Sequence, residues 1–441
     1  MKLSIVGLGK LGSCSAACFA AKGFDVVGID TNDRYVEAIN NGRAPVYEPG
    51  LQGLLTSAKS RLRATQDYGE AIVSSDVTFL VVPTPSRPDG HFSDEYLQAA
   101  LKELSLAFRE STKQQHLFVV TSTVSPGTTE KNLKPLIESI SGKKLNRDFG
   151  LCYSPEFIAL GSVIRDFVNP DVVLIGESDK KWGNMLQQVY KRVCENEPYI
   201  ARMSIISAEI MKISLNAYIT MKISFANTLA NICEKIPGAN VDDITGALGA
   251  DRRISPPYLQ GGVAYGGPCF PRDNRAFAAF ARDYGVDGKL AGATDEVNRD
   301  QLDHMVQRVL EVLRTKATDS VSILGLAYKP NTPVIEESPA IKIIEELLKQ
   351  GGIEIIVYDP LANEPARAQF GDKIRYATSL KDCIASSSVT VVTTQEAEFS
   401  GIDASYVARN PTTIIDCWRI FDPSKLGDRV EYIALGRYQN P

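Results

Sequence analysis

The stretch that most constrains the fold is the first dozen residues. Lys2-Leu3-Ser4-Ile5-Val6 predicts a buried strand, and Gly7-Leu8-Gly9-Lys10-Leu11-Gly12 runs from it directly into a small-residue helix over Ser13 to Ala21. A GxGxxG loop between strand and helix lets the chain turn tightly and brings a pyrophosphate against the N–H groups at the helix start. After Gly23 a second strand, Phe24 to Ile29, ends in Asp30, 23 residues beyond Gly7. A carboxylate there accepts from ribose hydroxyls and repels a 2′-phosphate, so NAD is expected over NADP, although Arg34 stands nearby.

Two more strands follow over Val77–Val82 and Leu117–Val120. They end in Pro83-Thr84-Pro85 and in Thr121 to Gly127, the latter carrying Thr123. Ligands of doubly wound sheets sit at such carboxyl ends. Ser154-Pro155-Glu156-Phe157 reads as a further edge, with Glu156 a carboxylate within a substrate's reach.

From Ser204 to Lys235 there is neither proline nor glycine, which predicts one helix of about 45 Å. Such a helix can link two domains and offer a dimer face. Lys212 and Asn216 stand four residues apart and share a helix face. Spacing alone fits a solvated polar stripe as well as a site. Lys212 is flanked by apolar residues, however, and no acid follows it three or four residues on. A partly desolvated lysine can act through water or steady an oxyanion.

A nucleophile, a flexible backbone and a carboxylate meet in Gly266-Gly267-Pro268-Cys269-Phe270-Pro271-Arg272-Asp273. The apolar periodicity that follows predicts a helix starting just after Cys269, and a helix N-terminus favours thiolate over thiol. A lone cysteine is more often a small buried hydrophobe. Here the neighbouring motifs favour a functional thiol. The preceding loop, Asp251 to Gly262, is irregular and carries Arg252 and Arg253, suited to a pyrophosphate or sugar hydroxyls.

The last third begins a second strand-loop-helix-strand unit at Ser320 to Ala327, closing at Ile353 to Asp359 with the glycine pattern lost. It predicts a Rossmann-like domain refitted for another nucleotide ligand, with Lys329 as phosphate partner. Strands at Ser388–Val392 and Thr412–Asp416 continue it, and Arg419 stands just beyond.

With 441 residues the chain has room for about three domains. Its net charge of −5, without a basic run, argues against a nucleic-acid partner. Eight scattered cysteines, none in a CxxC pair, suit reduced thiols of a cytoplasmic protein. His91, His116 and His304 lack metal-ligand spacing, so no metal is expected and acid-base work falls to lysine and carboxylates. Neither a signal peptide nor a membrane span is expected.

Taken together, Gly7 to Gly12, Glu48-Pro49-Gly50-Leu51, Val82 to Pro85, Ser122-Thr123-Val124, Pro155-Glu156-Phe157, Lys212 with Asn216, Gly266 to Asp273 and Gly325 to Pro330 resemble the UDP-glucose and GDP-mannose dehydrogenase family over nearly the whole chain. The resemblance implies an α/β protein with two Rossmann-like doubly wound domains joined by a helical domain with one long central helix. The expected boundaries are 1–200, 201–300 and 301–441.

The resemblance further implies NAD-dependent, twofold oxidation of a nucleotide sugar's primary alcohol to the acid. Cys269 would carry a thiohemiacetal and then a thioester. Lys212 and Asp273, with a water, would handle the first proton, and Lys212 with Asn216 would steady the oxyanion. Glu156 and a water held by Thr123 would hydrolyse the thioester. The NAD set would be Gly7, Gly9, Lys10, Leu11, Gly12, Asp30, Pro83, Thr84 and Thr123. The sugar nucleotide would meet Glu156, Lys212, Asn216, Tyr258, Leu259, Gly266, Lys329 and Arg419, with Arg253 reaching across a homodimer.

Several positions depart from the family pattern. Lys10-Leu11 replaces Tyr-Val, Ala264 a glycine, Leu160 a glutamate, Glu336 an arginine, and Pro333-Val334 an acidic pair. The joint loss at Leu160 and Glu336 is expected to alter how NAD or domain closure is held, without removing the chemistry. UDP-glucose leads as substrate. GDP-mannose, a UDP-acetamidosugar or another glucose nucleotide stay open, as do a single-step hydroxyacid dehydrogenase and a NAD-binding sensor without turnover.

Overall fold

The computed structural model describes residues 1–407 and 412–439. The chain divides into two compact units, Met1–Ser214 and Leu215–Pro441.

The first unit is built on an eight-stranded sheet. In chain order its strands are β1 (Lys2–Val6), β2 (Asp25–Ile29), β3 (Leu62–Thr65), β4 (Val77–Leu80), β5 (His116–Val120), β6 (Phe149–Tyr153), β7 (Val172–Glu177) and β8 (Tyr199–Met203). In space they run β3-β2-β1-β4-β5-β6-β7-β8. All pairs are parallel except β6 with β7. The order reverses between β1 and β4, and that crevice is where a doubly wound sheet takes its ligand.

The strands read as continuous apolar runs because both faces are covered. Leu3, Ile5, Leu117 and Val119 enter one cluster, while Val6, Phe118 and Val120 enter another. Helix α1 (Lys10–Ala21) is buried from Gly12 to Ala20, since its Ser, Ala and Cys side chains let it lie close on the sheet. The expected strands thus form, with ends moved by one or two residues.

Among the described residues of the second unit six strands run parallel throughout: β9 (Ser320–Leu324), β10 (Glu354–Tyr358), β11 (Arg375–Tyr376), β12 (Val389–Val392), β13 (Thr412–Asp416) and β14 (Val430–Ala434). Their order, β11-β10-β9-β12-β13-β14, repeats the reversal of the first sheet. Val321, Ile323, Val389 and Val391 face a cluster that includes Met305 and Val309, whereas Leu324, Ile356 and Val392 face one around Phe399.

Helical structure fills the middle of the chain. Helix α2 (Lys180–Val193) belongs to the first unit, and α3 (Ile205–Cys233) is the long helix expected from sequence, 29 residues in length. There follow α4 (Val241–Ala250), α5 (Phe270–Asp283) and α6 (Lys289–Lys316). The α/β class with two parallel-type sheets and a helical middle is as the sequence predicts. Among the described residues, no helix is long and apolar enough to cross a membrane.

Candidate active site

In the first unit the glycine loop divides by purpose. Gly7 has φ +97°, and a Cβ there would stand 2.4 Å from the Val81 carbonyl oxygen; a Cβ on Gly12 would stand 1.8 Å from the Gly7 oxygen. Both glycines are therefore required by the protein's own packing. Gly9 has φ −69°, and its Cβ would meet nothing within 4 Å. The open space in front of Gly9 suits a ligand lying against the start of α1, so the residues present fit a dinucleotide.

Asp30, half-buried at the end of β2, accepts from Leu8 N at 2.6 Å and Asn32 N at 2.8 Å, one on each oxygen. A carboxylate has about four acceptor directions, so each oxygen keeps capacity for a ribose hydroxyl. Beyond β4, Pro83 is exposed and Thr84 is buried, with Thr84 Oγ1 donating to the Thr123 carbonyl at 2.7 Å. That bond joins the two carboxyl-end loops. Lys10 is exposed and Leu11 half-buried at the helix start.

Sequence reasoning missed Glu209. Its fully buried carboxylate accepts from Gly127 N at 2.5 Å and Thr129 N at 3.0 Å, so the segment following Thr123 is pinned to the first turns of α3. Lys212 lies three residues further along that helix. It is buried, its Nζ donates to the Glu156 carbonyl oxygen at 2.6 Å, and it lies 4.6 Å from the centre of the Phe157 ring. The cation thus rests on a neutral oxygen and an aromatic face.

The Glu156 carboxylate points elsewhere, to Tyr190 Oη of α2 at 3.0 Å. Burial pushes Glu156 up to about 7; the Tyr190 hydrogen bond and the Lys212 cation pull the other way. A carboxyl titrating near neutrality is matched to taking and returning a proton. The segment after Phe157 is held by buried Glu48, which accepts from Gly161 N at 2.9 Å and Val163 N at 2.8 Å. Leu160 packs there against the apolar core. Glu336, in the other unit, is exposed.

In the second unit Cys269 is the residue just before α5, as the sequence predicts, with Pro271 in the first turn. Of the eight cysteines it alone is exposed. Burial pushes the other thiols up, Cys18 and Cys383 to about 12 and Cys194 to about 11, so they stay protonated. Asp273, one turn into α5, is buried and accepts from Asn216 Nδ2 at 2.6 Å and Arg272 Nε at 3.2 Å.

The glycines before Cys269 fit the loop that follows β9. A Cβ on Gly266 would stand 2.1 Å from the Glu337 oxygen, and one on Gly267, at φ +81°, 2.4 Å from the Tyr328 ring. The cysteine loop and the loop bearing half-buried Lys329 therefore lie against each other. Packing accounts for Gly266, whose expected role was in substrate binding.

A second set of residues escaped the sequence reading. Along α3, Asn227 accepts from Gly262 N at 2.8 Å and donates to the Val263 oxygen at 3.2 Å, while Asn231 donates to Gln301, which holds the Gly262 oxygen at 2.6 Å. From α6, Asn298 exchanges hydrogen bonds with the Tyr265 backbone, and Asp295 takes the Tyr265 hydroxyl and Asn274. Positions 216, 227 and 231 fall near one face of α3; that spacing of amides, buried at 216 and 227 and half-buried at 231, was the available signal.

Leu259 is buried, and half-exposed Tyr258 sets its ring edge-on to Phe270, 5.9 Å between centres. Arg253 is exposed and forked onto Asp251. The Arg419 side chain is only 2% exposed and is bonded to Asp242 and the oxygens of Cys417, Gly261 and Leu435. That placement ties α4 to the second sheet and lends its expected substrate role no support.

The UDP-glucose/GDP-mannose dehydrogenase family models match in three consecutive parts: the NAD-binding domain over residues 1–194, the central domain over 206–300 and the UDP-binding domain over 322–423. The chain belongs to the UDP-glucose/GDP-mannose dehydrogenase family.

This dehydrogenase is 38% identical to the UDP-glucose 6-dehydrogenase AglM of Haloferax volcanii, over 95% of this chain and 97% of that one. It is 34% identical to the GDP-mannose 6-dehydrogenase of Pseudomonas aeruginosa, with 81% of each covered. A solved UDP-glucose dehydrogenase from Pyrobaculum islandicum superposes with a TM-score of 0.88 at 32% identity, covering 99% of this chain and 98% of that one. The dehydrogenase described here is thus an NAD-dependent oxidoreductase of nucleotide sugars, with NAD as its cofactor.

Proposed function

We propose that this dehydrogenase oxidises the primary alcohol of the UDP-glucose hexose to the carboxylate, using two NAD per sugar and Cys269 as nucleophile. The observation that carries the reading is the solitary exposed thiol at the start of α5, set between the Gly266-Gly267 turn and the Asn216–Asp273 bond. An enzyme stopping at the aldehyde has no need of it.

Gly7, Gly9, Lys10, Leu11, Gly12, Asp30, Pro83, Thr84 and Thr123 hold NAD in this reading. Bound NAD supplies the hydride acceptor at each oxidation. Asp273 takes the alcohol proton through a water that the Lys212 ammonium holds, and Lys212 with Asn216 steadies the alkoxide. The Cys269 thiolate adds to the aldehyde carbon; loss of the second hydride leaves a thioester. Glu156 takes a proton from a water held by Thr123, the hydroxide adds to the acyl carbon, and the C–S bond breaks to give acid and thiolate. Tyr258, Leu259 and Lys329 contact the sugar nucleotide, with Arg253 supplied by the other copy of a homodimer.

The domain division at 1–200, 201–300 and 301–441 belongs to the same proposal, supported by the three consecutive family matches. The homodimer is supported by Tyr218, Phe225 and Ile232 on α3. They recur every seven residues and are 54%, 53% and 48% exposed.

UDP-glucose is favoured because the UDP-glucose 6-dehydrogenase of Haloferax volcanii is 38% identical over 95% of this chain, against 34% over 81% for the GDP-mannose 6-dehydrogenase of Pseudomonas aeruginosa. Turnover of the purified chain with NAD and UDP-glucose, GDP-mannose or UDP-N-acetylmannosamine tests the choice. A kcat/KM at least about tenfold higher for UDP-glucose is expected, the scale on which pocket contacts discriminate. Preference for GDP-mannose would overturn it.

A further inference from the structure

The oxygens around Glu156 form a chain whose protons do not balance when the carboxylate is ionised. Ser154 Oγ lies 2.8 Å from the Leu174 carbonyl oxygen and 3.0 Å from Tyr190 Oη, which lies 3.0 Å from Glu156 Oε1. Three contacts need three protons, and the two hydroxyls supply two. With Glu156 ionised, Tyr190 donates to it, and Ser154 serves either Tyr190 or Leu174. With Glu156 protonated, every contact is filled in series, from Glu156 to Tyr190 to Ser154 to Leu174. Ser154 and the Tyr190 side chain are buried, so their partners come from the protein.

We propose that Tyr190, backed by Ser154, is a positioning residue for the acid-forming half of the reaction: its hydroxyl holds Glu156 as a proton acceptor and reverses its hydrogen bond when Glu156 takes the proton. The proposal rests on the reading that Glu156 activates the water that cleaves the Cys269 thioester. In that step water adds to the acyl carbon, its proton passes to Glu156, and the C–S bond breaks with the electron pair leaving on sulfur. The proton on Glu156 turns Tyr190 from donor to acceptor, and the Tyr190 proton turns to Ser154. No buried oxygen is left unpaired in the product state, so taking up the proton costs less than it would at an isolated buried carboxyl.

Tyr190 and the two thiols near Glu156 keep their protons through this cycle. Tyr190 is pushed well above its ordinary value by burial, Cys18 of α1 stands at about 12, and Cys194, just beyond α2, at about 11. Lys212 of α3 faces Glu156 through the backbone carbonyl rather than the carboxylate. The carboxyl is thus the member of the group matched to neutral pH.

The test uses the full-length protein with NAD and UDP-glucose, following NADH by stopped flow, the mass of the intact chain, and steady-state rate against pH. Tyr190→Phe removes the donor to the carboxylate. It should keep the NADH burst of the two hydride transfers, which counts competent sites, then turn over at least tenfold more slowly with an acyl adduct on Cys269. The acid limb of its pH profile should move up. Ser154→Ala removes the acceptor that the protonated state needs, so its acid limb should move down. Opposite shifts are the signature of a reversible chain; a residue that merely supports the fold has no reason to produce them. Unshifted limbs, limbs moved the same way, or wild-type acid release in Tyr190→Phe would overturn the proposal. Glu156→Gln separates the two levels. If it stalls as the adduct while Tyr190→Phe does not, Tyr190 alone is misassigned; if Glu156→Gln releases acid at the wild-type rate, the underlying reading falls and takes the proposal with it.

Discussion

Asn216 Nδ2 donates to Asp273 Oδ2 across 2.6 Å, with both side chains buried. This bond ties the first turn of the helix after Cys269 to the long helix, and fixes which carboxylate oxygen remains for other partners. Removing Asn216 would leave a buried carboxylate one donor short, a loss of about 2 kcal/mol. Asn216→Ala should lower the unfolding free energy by that amount in urea titrations. Asp273→Asn should cost less stability but lower kcat on the order of 10²-fold, as expected for loss of a group taking part in proton transfer. Equal kcat in parent and Asp273→Asn would remove Asp273 from the chemistry.

The glycine loop offers a separation of folding from cofactor binding. Gly9→Ala meets no neighbour, so the change in unfolding free energy should stay within about 0.5 kcal/mol, whereas NAD affinity by calorimetry should fall at least tenfold. Gly12→Ala drives a Cβ into the Gly7 oxygen and should lose both stability and binding. Unchanged NAD affinity in Gly9→Ala would mean that the cofactor does not lie over this turn.

Glu156 carries a pH signature. Burial lifts it from 4.5 to about 7, so folding favours its protonated form. The stability this contributes is fully present below the ordinary carboxyl value near 4.5 and is lost as pH rises through about 7. Glu156→Gln stays neutral throughout. Relative to the parent, its unfolding free energy should rise between pH 4.5 and 7.5 by up to about 3 kcal/mol. Parallel profiles for the two proteins would contradict the raised value.

The apolar stripe on α3 predicts an association that one charge should break. Phe225→Asp should sediment as a monomer at concentrations where the parent is a dimer, because a carboxylate buried at a two-fold interface meets its own copy. If the parent itself sediments as a monomer, the homodimer is wrong.

What was legible in the sequence was whatever is local. The strand, glycine turn, helix and terminal Asp30 declare the first Rossmann unit because each step constrains the next few residues, and the helix after Cys269 follows from Pro271 and the apolar period beyond it. The second unit shows how the same wiring survives loss of the motif. Gly7 N bonds the Ile29 oxygen and Leu8 N bonds Asp30; Gly325 N bonds the Tyr358 oxygen and Leu326 N bonds Asp359. Asp359 differs in being buried and accepting four backbone N–H groups, so it serves the loop rather than a ribose.

What stayed hidden was tertiary pairing across long separations. Tyr190 reads as an ordinary apolar position of an amphipathic helix, and its meeting with Glu156, 34 residues away, depends on β6 and β7 pairing antiparallel. Glu209 and Asn227 look like polar residues of a long helix until the loops they hold are known. Arg419 was hidden in the same way: an arginine after a strand suggests a phosphate, and its bonds to Asp242 and three carbonyls come from distant parts of the chain.

Oxidation to the acid through a Cys269 thioester can be read by counting NADH formed per UDP-glucose consumed, beside Cys269→Ser. Two NADH per sugar are expected for the parent, with a serine variant that fails to release acid and shows no thioester. One NADH per sugar, unaffected by the substitution, would contradict it and leave a dehydrogenase that stops at the aldehyde.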